Sequence, residues 1–441
     1  ATPTTVISGV NGVEMTALNG PLTLNVINAG SLIQATDIGV SMSIAGGAGD
    51  LIIMSEGTIT GGSTGIEVTN GGTGAISVTT ADVTGTSGDG IDARSSGGGV
   101  TVDSSAGAVM GGATGIIALD SGGGAVSVTS ADVTGTAGLG ILAQSATGAV
   151  TVDSTAGTVI GGTDGISART FGAAAVAVTS ADVTGTNGRG INAFSDGGGV
   201  TVDSSAGTVI GGTEGIVALD GGTGAVSVTS ADVTGTAGSG IRAETTDGGV
   251  TVDSSVGAVI GSTDGITALD SGTGAVSVTS ADVTGTSSDG IDARSNSGGV
   301  SVDSSAGAVM GSVVGIIALD SAGGAVSVTS ADVTGTNDLG ILAQSATGAV
   351  TVDSSAGTVT GNSGGINART FDASAVSVTS ADVSGTNGPG INALSDGGGV
   401  TVDSSAGAVI GGTDGIVAID TGGGAVSIAA GDVTGNTGDA I

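Results

Sequence analysis

The chain of 441 residues contains no Cys, His, Trp or Tyr, and its six basic residues are all arginine. Without Cys and His it cannot form a disulfide, a thiolate nucleophile, a His/Cys zinc site or an imidazole base. Without Lys it also lacks a catalytic amine. Since these absences exclude most enzyme mechanisms, we expect a protein that is not an enzyme.

Positive charge is equally scarce, with 6 basic against 40 acidic residues and a net charge of −34. Phosphate contacts need clustered Lys or Arg, so we expect no nucleic-acid partner. No run of about 18 apolar residues is present, so we expect no membrane insertion. The chain begins with the polar stretch Ala-Thr-Pro-Thr-Thr rather than with Met, which is typical of a mature end left by signal-peptide cleavage. We therefore expect export.

The chain does contain a 50-residue repeat that runs without insertion. Its marker Ala-Asp-Val-Thr-Gly-Thr starts at Ala81, Ala131, Ala181, Ala231, Ala281 and Ala331, and returns in variant form at Ala381 and Gly431. Residues 140–150 also recur identically at 340–350, so a 200-residue block has been duplicated. A fixed period indicates a stack of like units whose neighbours bury one another's apolar faces.

Each 50-residue unit divides into two related halves. Both halves contain Val-x-Val, a central Val followed by Gly, and Gly-Ile-x-Ala, and successive halves start at Val100, Val126 and Val150. The alternation is that of short strands, and we expect the 92 glycines to supply the positive φ values of sharp corners. The pattern predicts an all-β fold: a right-handed parallel β-helix with three short strands per coil of about 25 residues.

The apolar positions of this β-helix should form inward ladders. We expect Val102 to stack on Val128, and Ile116 on Ile141. The frequent Gly and the β-branched residues oppose a helical solenoid, and the regular Val/Ile spacing opposes disorder.

The regularity divides the chain into residues 1–50 and residues 51–441. We interpret 1–50 as diverged N-terminal coils, which either cap the stack or form a docking end for another subunit. We interpret 51–441 as regular solenoid repeats. The sequence stops at Ile441 in the middle of a coil, so we expect the natural chain to continue.

Two periodic series of aspartates follow the strands. In alternate coils they lie roughly 10 Å apart, too far for two carboxylates of one row to share a Ca²⁺ ion. We therefore interpret them as turn residues that bind local backbone, and expect no cofactor. Calcium stays open as an alternative if the two rows meet at a corner, and its candidate ligands are Asp103, Asp132, Asp153 and Asp182.

The strongest local departure from the repeat is Arg-Thr-Phe, which occurs twice. Arg169 with Phe171, and Arg369 with Phe371, are candidate interface anchors, because exposed Arg and aromatic residues are typical of interfaces. The alternative is that each Arg offsets nearby Asp while each Phe covers a corner.

The repeats Gly-Gly-Val-Thr-Val-Asp-Ser-Ser-Ala-Gly, at residues 98–107, and Ala-Asp-Val-Thr-Gly-Thr resemble the β-helical passenger repeats of bacterial autotransporter and surface adhesin proteins. The resemblance covers nearly the whole chain but includes no membrane barrel or protease motif. It implies an extracellular, structural protein of the bacterial cell surface: a fibre, stalk or adhesin rod. The alternative is a filament subunit that polymerises head to tail.

The expected partners are other copies of the chain, end to end or side to side, and a ligand on a host or neighbouring cell. An ice-binding solenoid is disfavoured because Asp interrupts the outward Thr rows. A glycosidase is disfavoured because the acids are periodic and only three Phe are available to hold sugar rings.

Overall fold

The computed structural model describes residues 6–441 and contains 50 β-strands and no helix within them. The chain divides into two compact units, Ala1–Gly224 and Ala225–Ile441. Both units are parallel β-solenoids; together they contain about 17 coils of about 25 residues with three strands per coil. The predicted all-β parallel β-helix is confirmed.

Each coil contributes one strand to each of three parallel sheets. The first sheet contains the Val-x-Val strands, the second contains the short Val-x-Gly strands, and the third contains the Ile-x-Ala strands. Within a unit, each strand pairs in parallel with its counterparts in the adjacent coils, as Val126–Ser130 does with Val100–Ser104 and Val150–Ser154.

The strands of the first unit are as follows. The first sheet comprises Leu22–Val26, Leu51–Ser55, Ile76–Thr80, Val100–Ser104, Val126–Ser130, Val150–Ser154, Val176–Ser180 and Val200–Ser204. The second comprises Val6–Gly9, Leu32–Ala35, Thr58–Gly61, Val83–Gly85, Val109–Gly111, Val133–Gly135, Val159–Gly161, Val183–Gly185 and Val209–Gly211. The third comprises Val13–Ala17, Val40–Ile44, Ile66–Asn70, Ile91–Ser95, Ile116–Asp120, Ile141–Ser145, Ile166–Thr170, Ile191–Ser195 and Ile216–Asp220.

The second unit repeats this order. Its first sheet comprises Val226–Ser230, Val250–Ser254, Val276–Ser280, Val300–Ser304, Val326–Ser330, Val350–Ser354 and Val376–Ser380. Its second comprises Val233–Gly235, Val259–Gly261, Val283–Gly285, Val309–Gly311, Val333–Gly335, Val359–Gly361 and Val383–Gly385. Its third comprises Ile241–Thr245, Ile266–Asp270, Ile291–Ser295, Ile316–Asp320, Leu339–Ser345, Gly364–Thr370, Ile391–Ser395 and Ile416–Asp420. Val400–Gly411 and Val426–Gly435 each run through the first and second sheets without a break.

The register places like residues on like, which produces the predicted inward ladders. Val102 pairs with Val128, and Ile116 pairs with Ile141. All four side chains are 0% exposed. The core therefore consists of continuous rows of Val and Ile, whose burial is the main favourable term for folding.

The glycines act mainly through close approach rather than through positive φ. Among the 92 glycines, only nine have positive φ, for example Gly199 at +87° in the corner before Val200. A Cβ at Gly140, which precedes a third-sheet strand, would lie 2.5 Å from Val159 Cγ1 and 2.6 Å from the carbonyl oxygen of Gly165. The expectation that glycine serves chiefly to provide positive φ is wrong for most corners, because the strands approach too closely there for any side chain.

Candidate functional site

The inward-facing fifth residue of most first-sheet strands is a buried hydroxyl. Ser154, for example, is 0% exposed, and its Oγ has no hydrogen-bond partner among residues 6–441. Equivalent hydroxyls in adjacent coils are separated by the strand spacing of about 4.8 Å, beyond direct hydrogen-bond reach. The unpartnered series comprises Thr80, Ser104, Ser130, Ser154, Ser180 and Ser204 in the first unit, and Ser230, Ser254, Ser280, Ser304, Ser330, Ser354, Ser380 and Ser404 in the second.

The fifth residue of several third-sheet strands is instead a buried aspartate that is fully hydrogen-bonded. Asp270 is 0% exposed. Its Oδ2 accepts the amide N–H groups of Gly248 at 3.1 Å and Gly249 at 2.9 Å, and its Oδ1 accepts those of Gly272 at 2.9 Å and Gly274 at 3.1 Å. One carboxylate therefore satisfies amide donors in two successive corners, which would otherwise be costly to bury.

The same arrangement recurs at Asp120, Asp220, Asp320 and Asp420. At Asp420, burial works to raise the pKa of the carboxyl. The backbone amides of Gly399 and Gly424, with the Ser395 hydroxyl, outweigh that effect and hold the pKa below its ordinary value. Hydrogen bonding in this corner thus favours the charged carboxylate of Asp420.

Sequence reasoning did not single out these aspartates. The available signal was the alternation itself, because Ile, Ala and Asp in Ile266–Asp270 occupy positions one, three and five and so share the inward face. The predicted Ile-x-Ala strand was two residues shorter than the observed one, which left the fifth position outside it.

The calcium candidates contribute to turns. Oδ1 of Asp103 accepts the amide N–H of Ser105 at 3.1 Å and its hydroxyl at 2.6 Å. Oδ1 of Asp132 accepts the amide N–H of Thr158, in the next coil, at 2.9 Å. Asp153 and Asp182 make the equivalent contacts. Residues 6–441 contain no group of three or more acidic side chains that could hold a metal ion. The geometry thus agrees with the turn interpretation.

Four of the six arginines are paired with carboxylates. These pairs are Arg94 with Asp92 at 2.7 Å, Arg189 with Glu214 at 3.3 Å, Arg242 with Glu244 at 2.6 Å, and Arg294 with Asp292 at 2.5 Å. Burial works to raise the pKa of Glu214, but the charge of Arg189 holds it below its ordinary value. Within the described chain, Arg169 and Arg369 have no carboxylate within 4.0 Å.

Arg169 and Arg369 stack on phenylalanine rings instead. The guanidinium carbon of Arg169 lies 4.6 Å from the ring centroid of Phe171 and 4.6 Å from that of Phe194, and Arg369 lies 4.0 Å from that of Phe371. Phe171 is 45% exposed and Phe371 is 47% exposed. Arg169 lies within the strand Ile166–Thr170. Both candidate anchors are accessible, and neither Arg is offset by a directly paired Asp.

A small cavity lies beside Arg169 on the outer surface of the third sheet. Its volume is about 190 Å³, and Ser167, Arg169, Arg189, Asn192 and Phe194 are among the residues that line it. The strand register builds it, because Ser167 pairs with Asn192 and Arg169 pairs with Phe194. Polar and aromatic groups from two coils therefore meet at one place on an otherwise acidic chain.

A larger groove of about 500 Å³ lies over the N-terminal coils. It is mainly apolar and is lined by Val26, Met54, Thr80 and Ala106 together with Glu56. Glu56 is its only ionisable lining residue, so the groove offers no pair of groups for acid–base chemistry.

No family model matches the chain, and neither a curated protein nor a solved structure matches it. Residues 6–441 include no helix that is long and apolar enough to span a membrane.

Proposed function

We propose that this chain is a non-enzymatic extracellular structural protein that forms a bacterial surface fibre, stalk or adhesin rod. The observation that carries the proposal is the unbroken register of like residues within each unit, as in the pairing of Val126 with Val100 and Val150. Coils of this kind are interchangeable, so adding coils extends the structure without altering any single site.

The acidic residues support the same interpretation. Asp103, Asp132 and Asp270 use their oxygens to accept backbone or hydroxyl donors of nearby corners. The net charge of −34 also disfavours sheet-to-sheet association between fibres. The carboxylates thus serve folding and solubility. They recur along the repeats, whereas the residues of an active site would occur once.

The resemblance to autotransporter and adhesin passengers supports export to the cell surface. The absence of Cys means that the fold needs no oxidative step outside the cell. The ladders of backbone hydrogen bonds and the stacked Val and Ile rows stabilise it instead.

The test is antibody labelling of intact producing cells by immunogold electron microscopy, combined with protease treatment of those cells. We expect gold on surface fibres and loss of the antigen after protease, while a cytoplasmic marker protein stays intact. Antigen found only inside unlysed cells would overturn the proposal.

One observation favours the alternative of a head-to-tail filament. Within residues 6–441, the strands Val6–Gly9, Val13–Ala17 and Leu22–Val26 pair only with the following coil. Exposed apolar residues lie on and beside these strands, including Leu18 at 73% and Ile27 at 76% exposed. An edge that residues 6–441 leave unpaired, with apolar flanks, suits the addition of a coil from another copy.

This alternative is tested by the double substitution Leu18→Lys and Ile27→Lys, which charges the edge without removing buried contacts. Ile210→Lys is the matched control, because Ile210 is an exposed apolar residue (41%) within a paired strand. If the edge is a docking end, the double variant stays unassembled and the control polymerises. Equal assembly of both variants contradicts a docking role.

A further inference from the structure

The Arg169 cavity brings together a guanidinium that has no carboxylate partner in the described chain and the side chains of Ser167 and Asn192. Elsewhere, aspartates such as Asp132 and Asp270 accept donors of the corners, and Arg94, Arg242 and Arg294 have carboxylate partners. We propose that this cavity binds the carboxylate of a small acidic ligand, with the size of one sugar acid or one acidic side chain. A binding site of this kind goes beyond a structural role for the fold.

Arg169 provides the charge and the geometry. Its guanidinium lies 4.6 Å from each of the Phe171 and Phe194 rings, so two aromatic contacts hold its plane. A held guanidinium can offer two parallel N–H donors to a carboxylate, which is the strongest common form of this hydrogen bond. Since no carboxylate of the described chain lies within 4.0 Å of Arg169, those donors are open to a ligand.

The neighbouring residues complete a pocket with suitable chemistry. The Ser167 hydroxyl and the Asn192 amide come from paired positions of adjacent strands and supply further donors. Phe194 and Leu219 supply apolar surface for the rest of the ligand. A few convergent polar groups in a partly apolar cavity are typical of small-molecule sites.

Arg189 also lines the cavity, and it is already paired with Glu214. Its backbone amide also donates to Oδ1 of Asp164 at 2.8 Å. The charges of Arg169 and Arg189 balance those of Asp164 and Glu214. Two of the six arginines thus line this cavity in a chain of net charge −34, and an anion meets less repulsion here than over surface that carries only carboxylates.

The internal duplication supplies a natural comparison. Residue numbers 200 higher keep Arg369, Phe371 and Asn392, but Pro389 replaces Arg189 and Leu394 replaces Phe194. Arg369 thus stacks on one ring where Arg169 stacks on two. We expect the second position to bind the same ligand more weakly.

The test uses the three phenylalanines as reporters. The full chain is labelled with 4-fluorophenylalanine, and its fluorine NMR spectrum then contains signals from Phe171, Phe194 and Phe371 only. Each signal is assigned with a single Phe→Leu variant. The labelled protein is titrated with sodium glucuronate, and with glucose and sodium chloride as neutral and ionic-strength controls. We expect saturable shifts of the Phe171 and Phe194 signals with a Kd of about 1 mM for glucuronate alone.

Arg169→Gln should weaken this binding by at least about tenfold, because it removes the charge and the bidentate donors. Arg369→Gln is the matched control and should leave the Phe171 and Phe194 responses unchanged. Arg169 lies on the outer surface and makes no ion pair, so the variant is expected to fold, and the circular dichroism spectrum checks this.

A second arm distinguishes a free acid from an acidic side chain of another copy. Protein concentration is raised without glucuronate, and sedimentation velocity is measured in parallel. Concentration-dependent shifts of the same two signals, accompanied by a larger species and lost in Arg169→Gln, assign the carboxylate to a second copy. The absence of a saturable response in both arms overturns the proposal, as does a response that persists in Arg169→Gln.

Discussion

At the level of single residues, two rows of buried polar side chains line each unit and differ in their hydrogen bonding. The first-sheet row, represented by Ser154, has hydroxyls without partners in the described chain. The third-sheet row, represented by Ser145 and Asp270, is bonded to corner backbone. The stability contributions of these two rows should therefore have opposite signs.

Ser154→Ala should raise the local free energy of unfolding by about 1 kcal/mol, because it removes a buried hydroxyl that has no partner. Ser145→Ala is the matched control, since Ser145 is also 0% exposed. Its Oγ donates to the Gly124 carbonyl at 2.8 Å and accepts the Gly148 amide at 2.8 Å. Ser145→Ala should lower the free energy of unfolding by about 1–3 kcal/mol, because it removes both hydrogen bonds. Amide hydrogen exchange measures both, and equal signs would contradict the assignment.

Asp270→Asn should lower the free energy of unfolding by about 2–4 kcal/mol, because an amide nitrogen would then face N–H donors of the corners. The control is Asp253→Asn in the same unit. Asp253 is half-buried and accepts only from Ser255, so its change should cost less than about 1 kcal/mol. Urea denaturation followed by circular dichroism tests the difference, and similar midpoints would rule out the corner role of Asp270.

Acid should loosen the corner that Asp420 holds. The folded pKa of Asp420 lies below its unfolded value, so its stabilisation is present above the unfolded pKa and is lost as pH falls through the folded one. We expect the exchange protection of the Gly399 and Gly424 amides to hold down to about pH 4 and to fall below it. In Asp420→Asn, protection should be lower and independent of pH across this range. A wild-type protection that does not change in acid would refute this linkage.

At the level of strands and sheets, the register could be predicted from the sequence because each 50-residue unit divides into two halves that share the same motifs. Val102 on Val128 and Ile116 on Ile141 follow directly from it. The corners were less predictable, since close approach at Gly140 depends on where distant strands lie. Only part of the Arg169 cavity could be predicted from the sequence. Arg169 stood out as a departure from the repeat, but Phe194 lies beside it only because their two strands pair.

Val128→Asp should disrupt its coil locally and lower the free energy of unfolding by several kcal/mol, about 3–5, because it buries an unpaired charge in a dry ladder. Ser127→Asp changes the adjacent outward residue of the same strand, between Thr101 and Thr151, and should stay within about 0.5 kcal/mol of wild type. Thermal unfolding and hydrogen exchange measure both variants. An unchanged transition for Val128→Asp would show that this ladder does not face inward.

At the level of the whole chain, the proposed function makes coil number the selected property. Removal of residues 281–330 deletes one full repeat in phase, because Ser280 then precedes Ala331 as it now precedes Ala281. Duplication of the same segment adds one repeat. A function that depends on length should change gradually with these edits, whereas a function at a single site within the repeat should be lost or kept outright.

The decisive measurement is cryo-electron microscopy of the surface fibres from cells that express the wild-type chain, the 281–330 deletion or the 281–330 duplication. We expect fibres to form in all three, and the length per chain to decrease in the deletion and to increase in the duplication by two coils, about 10 Å. The proposed function would be contradicted if wild-type cells carried no fibres, or if the length per chain did not change with the number of repeats.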